Sequence, residues 1–190
     1  MISNAEVTVN GEIARLGARI DPNEDIVKVN GKRIQAFRQD TLTLLVNKPK
    51  GFTCSNSDEH AERLIFELLE PKHRKFRLFC AGRLDLDSQG LVILTNDGNL
   101  AHRLTHPSQK VRKRYQVEIN QPLENEHFSK LLEGFDEGGE FIRLDEIRVK
   151  YGNPVGSCKL EIILGHGKKR EIRRAFGFFK YRIRKLRRIA

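Results

Sequence analysis

Residues 77–98, RLFCAGRLDLDSQGLVILTNDG, constrain the fold more than any other stretch. Two apolar runs with strand character, RLFCAGR and GLVILTN, flank a glycine-bounded turn that carries Arg83 and the acids Asp85 and Asp87. Short apolar runs bounded by turn residues bury themselves in a sheet, while a charged turn between them has to stay at its edge. Asp85 and Asp87 share a face if the backbone is extended and point independently if it turns. On the residues alone, several readings stand. A glycosidase-like carboxylate pair is one, although nothing in the sequence sets the ~5 to 10 Å separation that such chemistry requires. A structural turn is another, with Asp85 paired to Arg83 and Asp87 capping a turn with Ser88. An EF-hand is excluded, because DLDSQG lacks the spaced ligands and the terminal Glu.

Acid in that turn contrasts with the charge elsewhere. From His166 to Ala190 the chain carries eleven Lys or Arg and one Glu, which leaves the other 165 residues at 24 basic against 24 acidic, from totals of 35 and 25. Excess charge confined to one end points to a phosphate-binding surface, and nucleic acid fits better than an anionic membrane. Ile172, Ala175, Phe176 and Phe179 recur at helical spacing and are assigned to a core; core packing is also the reading for Phe178. No apolar run approaches the ~20 residues needed to span a bilayer, so a cytoplasmic protein with no membrane partner is expected. Cys54, Cys80 and Cys158 show neither zinc spacing nor a disulfide framework and are read as reduced thiols.

Along the chain the pattern assigns an α+β fold around one sheet. In residues 1–37, EVTVNGE and DIVKVNGKRI each alternate around an Asn-Gly turn, on either side of DPNED, in a piece too small to fold alone. AFRQD is a polar link. The main domain, 41–190, opens with the strand TLTLLVNKPKG, and EHAERLIFELLE is expected to be an amphipathic helix closed by Pro71. NDGNLAHRLTHP reads as a turn and short helix, KRYQVEI as a strand, ENEHFSKLLEGF as a helix ended by Gly134, EIRVKYG and CKLEIILG as strands, and KKREIRRAFGFF as a last helix. The end of the chain is ambiguous, because Ile183, Leu186 and Ile189 suit a helix and the β-branched residues suit a strand.

GRLDLDSQGLVILTNDG resembles the signature of the ribosomal RNA pseudouridine synthases of the RsuA type, GRLD, two residues, Thr or Ser, one residue, GLLLLTNDG. VNKPKG, KRYQVEI and GHGKKREIRRAF agree with further family stretches in the same order, and MISNAEVTVNG is similar to the second half of the S-four-like RNA-binding domain that precedes such catalytic domains. The departures are specific: the first helices of that RNA-binding domain are not in the sequence, Gly165-His166 replaces a common Glu, Glu171 stands where Gln is usual, Ala175 replaces Met, and Ala190 falls short of the usual C-terminal extension. The resemblance implies a catalytic domain with a central, mostly antiparallel mixed sheet flanked by helices, and a partial RNA-binding appendage.

It also implies a chemistry: the glycosidic bond of a uridine is broken, the uracil turns, and the ring rejoins the sugar through carbon five. By resemblance Asp85 is the nucleophile, and Asp87 occupies a variable position and is given to turn structure. Beside a base that carboxylate needs a cation, for which the resemblance supplies Arg173. Tyr115 is expected to stack on the target uracil and assist proton removal. Arg83, Lys168, Lys169, Arg170, Arg174, Arg187 and Arg188 are the expected RNA contacts, with Arg187 and Arg188 an exposed pair. Lys48 and Lys50, in a turn under the site, are further candidates for phosphate. The target base has to leave its stack to meet Asp85. No metal and no organic cofactor is expected. The expected partner is ribosomal RNA or a ribosomal precursor particle rather than DNA, bound by a monomer. A non-catalytic RNA-binding or ribosome-assembly factor is the alternative.

Overall fold

Two Asn-Gly pairs shape the N-terminal segment, as their sequence pattern requires. The computed structural model describes residues 1–21, 24–34 and 40–190, and its contacts divide the chain into Met1–Asp40 and Thr41–Ala190. In the first unit β1 (Val7–Val9) pairs with β2 (Glu12–Ile13), and β3 (Val27–Val29) with β4 (Lys32–Arg33). Asn10 and Gly11 have φ of 53° and 94°, Asn30 and Gly31 of 49° and 76°, the left-handed geometry of a two-residue hairpin turn. An antiparallel β1–β3 pairing joins the hairpins into a four-stranded sheet. Among its described residues only Val7 is buried. AFRQD, apart from Asp40, and two residues of DPNED lie outside the described residues.

The second unit is built on β5 (Thr43–Lys48), β6 (Phe79–Ala81), β7 (Gln89–Thr95), β8 (Lys113–Ile119), a hairpin of β9 (Phe135–Glu137) and β10 (Glu140–Ile142), β11 (Glu146–Arg148), β12 (Lys159–Leu164) and β13 (Ile183–Arg188). Its helices are α1 (Pro71–Arg74), α2 (Gly98–Thr105), α3 (Asn125–Glu133) and α4 (Glu171–Phe178). The main sheet runs β11-β12-β8-β13-β7-β5, with β6 also on β7, and every pairing is antiparallel except β13 with β7. The α+β expectation and its mixed, mostly antiparallel sheet therefore hold. The ambiguous C-terminus is a strand, because Leu186 and Arg188 lie opposite Val117 and Tyr115 and fill the space between β8 and β7.

Burial splits the sheet's covered face into two apolar halves. One packs Val117, Ile119, Leu160 and Ile162 against Leu131, Ile172 and Phe176 of α3 and α4; the other packs Val92 and Leu94 against Ile65, Leu78 and Cys54. β7 and β13 meet between them at Gly90. Its φ is 115°, and a Cβ there would lie 2.1 Å from the Arg188 carbonyl oxygen, so only glycine lets the strands approach.

Two elements differ from the sequence pattern. EHAERLIFELLE is not an amphipathic helix. Thr53 accepts from the Ile65 amide and donates to the Arg63 carbonyl (3.0 and 2.9 Å), which holds Leu64 extended and leaves only a 3-10 helix, Ile65–Leu68. Pro71 then opens α1 instead of closing a helix, since its missing N–H costs nothing in a first turn. The hairpin of β9 and β10, which no pattern assigns, turns on Gly138 and Gly139, both at positive φ.

Candidate active site and nucleic-acid face

The GRLD turn sits where the two apolar halves meet. The Ser88 amide donates to the Asp85 carbonyl (3.0 Å) and closes the turn; the Gly51 amide donates to the Leu86 carbonyl (2.8 Å) and ties it to the KPKG stretch. Ser88 is buried, and the side chains of Asp85 and Asp87 remain about one-third and one-half accessible. Buried strands thus present a rigid turn whose acids face out.

The arginines that meet these acids come from α4 and the residue before it. Arg170 donates from both terminal nitrogens to the two oxygens of Asp87 (3.2 and 3.0 Å) and lies 3.8 Å from Asp85 Oδ2. Arg173 does not pair with Asp85 as expected. Its Nε is 3.2 Å from Asp87 Oδ2, and its Nη2 donates to the Asp87 carbonyl (3.0 Å) and to Ser88 Oγ (3.3 Å). The cation nearest Asp85 is Arg170, and Asp87, assigned to turn structure, is the hub of the ion pairs. Burial pushes the Asp87 carboxyl up, but the Arg170 hydrogen bonds and the charges of Arg173 and Arg170 outweigh it and hold it below its ordinary value.

Tyr115 lies on β8 opposite Ile162 and Arg188. Burial raises its hydroxyl pKa against the lowering effect of the Arg188 charge and hydrogen bond, so at neutral pH it is a phenol. The charges of Asp85 and Glu171 act on the same hydroxyl and also raise it. The structure brings Asp85, Arg170 and Arg173 to one seam around Asp87, and Tyr115 lies opposite Arg188, which bonds the Arg83 carbonyl of the same turn.

The remaining basic residues divide. Arg188 is buried, not exposed: its Nε donates to the Leu91 carbonyl (2.7 Å) and its Nη1 to the Arg83 carbonyl (3.4 Å), which ties β13 to β7 and the GRLD turn. Arg187 is half-buried, and Arg83 and Lys169 are exposed. Arg174 is held by Glu137 and Glu140, and Lys168 by Glu140 and the Phe141 carbonyl, so both are spent on the hairpin of β9 and β10. Lys48 cannot reach phosphate. It is fully buried, donates to the carbonyls of Pro49 and Phe52 (3.0 and 2.8 Å), and has its pKa lowered by burial against the raising effect of Cys54, Asp85 and Asp87.

Other groups came together without a sequence signal. Cys54 and Cys80, far apart in sequence, pack in the same apolar cluster, where each acts on the other's thiol, lowering the Cys54 pKa to about 6 and raising that of Cys80. Glu171 is buried at the start of α4, where its Oε2 accepts from His166 Nδ1 (2.9 Å) and the Lys168 amide (3.1 Å). His166 and Glu171 are two of the positions that depart from the family pattern, and they depart as a bonded pair. Of the expected core aromatics, Phe176 is buried, whereas Phe178 is half exposed and stacks on Phe135, their centroids 4.3 Å apart. Among the described residues no group of three or more His, Cys, Asp or Glu could hold a metal ion, and no helix is long and apolar enough to cross a membrane.

The site is thus an acidic turn held under two arginines, with the half-buried Tyr115 on β8. Residues 42–177 match the RNA pseudouridylate synthase family, and the chain belongs to it. It is 35% identical over its whole length to an uncharacterized RNA pseudouridine synthase of Aquifex aeolicus, covering 75% of that protein, and 36% identical over 92% of its length to another from Mycobacterium leprae, covering 68%. A ribosomal large subunit pseudouridine synthase B of Vibrio vulnificus is 30% identical over 92% of this chain, which spans 55% of that protein. A crystal structure of a pseudouridylate synthase superposes with a TM-score of 0.70 at 26% identity, covering 98% of this chain and 78% of that one.

Proposed function

We propose that this protein converts a uridine of ribosomal RNA to pseudouridine, as a synthase of the RsuA type with Asp85 as its reacting carboxylate. The observation that carries the reading is Asp85 on a turn held between buried strands, about one-third open to solvent, with Arg170 3.8 Å away. Ribosomal RNA as substrate is supported by the names of the Vibrio relatives. In this reading the basic segment draws RNA to the seam by phosphate attraction. A flipped uridine then meets Asp85, whose carboxylate divides the difficult exchange of a carbon–nitrogen for a carbon–carbon bond into two steps. Tyr115 stacks on the base and, as a phenol, supplies a proton-handling group. Residues 1–37 act as a partial S-four-like RNA-binding piece, and ribosomal RNA in the cytoplasm is the partner.

Carbodiimide mapping of pseudouridine in transcribed ribosomal RNA, incubated with the wild-type protein or Asp85→Asn, tests this reading. The wild type should add a pseudouridine and Asp85→Asn should add none, a loss of ~10³-fold or more. RNA that binds the wild type and stays unmodified would leave the non-catalytic RNA-binding alternative standing instead.

A further inference from the structure

Three features of the fold bring Cys54 and Cys80 together. β6 pairs with β7 so that Cys80 lies opposite Leu94, and cross-strand partners share a face. Leu94 lines the apolar cluster in which Cys54 is buried and against which Cys80 packs. The Asn56 side chain donates to the Leu78 carbonyl (2.8 Å), which lays the chain around Cys54 alongside the start of β6. Cys158 packs against the other cluster. The two thiols are unlike. Cys54 is buried, whereas Cys80 is half-buried and gives the pair its opening to solvent. Contact with Cys80, then the Leu84 amide and the charges of Lys48 and Arg188, outweighs burial and lowers the Cys54 thiol to about 6. The same contact, with burial, raises the Cys80 thiol.

We propose that Cys54 and Cys80 are a redox-active pair, which hydrogen peroxide converts into an intrachain disulfide beside the GRLD turn and a dithiol restores. The Cys54 thiolate attacks a peroxide oxygen, the O–O bond breaks, hydroxide leaves, and Cys54 becomes a sulfenic acid. The Cys80 sulfur then attacks the Cys54 sulfur, the S–O bond breaks, and the Cys80 proton leaves with that oxygen as water. Over both steps the pair gives up two electrons and two protons, and the peroxide becomes two waters. The division of labour suits the site, since the attacking sulfur has to be a thiolate and the second has only to lie next to it. The disulfide also reaches the turn. In the reduced pair a negative sulfur faces the Leu84 amide, next to Asp85, and the charge of fully buried Lys48. A disulfide sulfur is neutral, so Leu84 loses a charge-assisted hydrogen bond and Lys48 a counter-charge, and the support of the turn weakens.

Treating the reduced protein with an equivalent of hydrogen peroxide, alkylating the remaining thiols and mapping the peptides by mass tests the pair. The expected product is a peptide pair joined through Cys54 and Cys80, two hydrogens lighter than its parts, from protein that runs as a single chain on a non-reducing denaturing gel. Cys158 should remain alkylated, and dithiothreitol should undo the link. Cys54→Ser should leave Cys80 alkylated after the same treatment, because a protonated thiol is a poor nucleophile. Cys54 oxidised without a link, a link to Cys158, or three alkylated cysteines would overturn the proposal. The effect on the turn rests on the reading of Asp85 as the reacting group. The single-turnover rate of the linked protein should fall about ten-fold, the span of a lost charge-assisted hydrogen bond, and return with dithiothreitol. An unchanged rate in fully linked protein would overturn the coupling to the turn. If the reduced protein itself makes no pseudouridine, the catalytic reading falls, and the linked peptide still decides the pair.

Discussion

Arg173 and Arg174 are neighbours on α4, of the same chemistry and both partly buried, yet they face different acids. Arg173, with Arg170, meets Asp87 on a turn whose ends are buried strands. Arg174 meets Glu137 and Glu140 on the small separate sheet of β9 and β10. A helix turns by about 100° per residue, so adjacent side chains serve different surroundings. The difference teaches that an ion pair is no guide to function by itself. What matters is how rigidly the acid is held and what else it faces: Asp87 lies two residues from Asp85, the proposed reacting group, and Glu137 and Glu140 lie on a hairpin for which none is proposed.

The largest effect should separate the two arginines directly. Arg173→Gln is expected to cut the single-turnover rate by ~10²-fold or more while leaving the salt slope of RNA binding nearly unchanged; Arg174→Gln should stay within about three-fold of wild type. Equal losses from both would erase the distinction. A second contrast lies on β13, where Arg188→Gln strips hydrogen bonds from a buried charged site and should cost about 2 kcal/mol in urea denaturation. Arg187→Gln should leave stability alone and flatten the salt slope by ~0.7 if it meets a single strand.

Tyr115→Phe sharpens the assignment of the seam. It keeps the ring and removes the hydroxyl that Arg188 and Asp85 act upon, so RNA affinity should persist while turnover falls about ten-fold, below the usual span for a lost acid–base group. Parallel loss of both would refute that division of roles. The smallest expected effect belongs to the hairpin. The Arg174 hydrogen bond and the charges of Arg174 and Lys168 hold the Glu140 carboxyl below its ordinary value. A carboxyl lowered in the folded state stabilises above its unfolded pKa, and that contribution is lost as pH falls through the folded value. The small stability gap between wild type and Glu140→Gln at pH 7 should therefore close below about pH 4, the ordinary carboxylate range, with turnover at pH 7 within two-fold.

Local pattern carried a good deal of this molecule. The strands on either side of the GRLD turn, the Asn-Gly hairpins, α3 ended by Gly134 and the α4 segment were legible because each rests on periodicity or turn chemistry within a few residues. The motif resemblance also named Asp85, Tyr115 and Arg173 together, but Arg173 lies on Asp87 and Ser88 instead of Asp85. What local pattern misread was decided by distant groups. The helix expected over residues 59–70 lost its middle to Thr53, which competes for the same backbone.

The sequence by itself determined the class of fold, the charged turn between buried strands and the concentration of base at one end, because composition and spacing are local properties. Tertiary structure alone decided which cation serves which acid: Arg170 for Asp85, both arginines for Asp87, Arg174 for the hairpin, and Arg188 for the sheet itself. These pairings join residues as far as 105 positions apart. An ion pair forms with whatever opposite charge packing brings within about 4 Å, and no spacing along the chain encodes that distance.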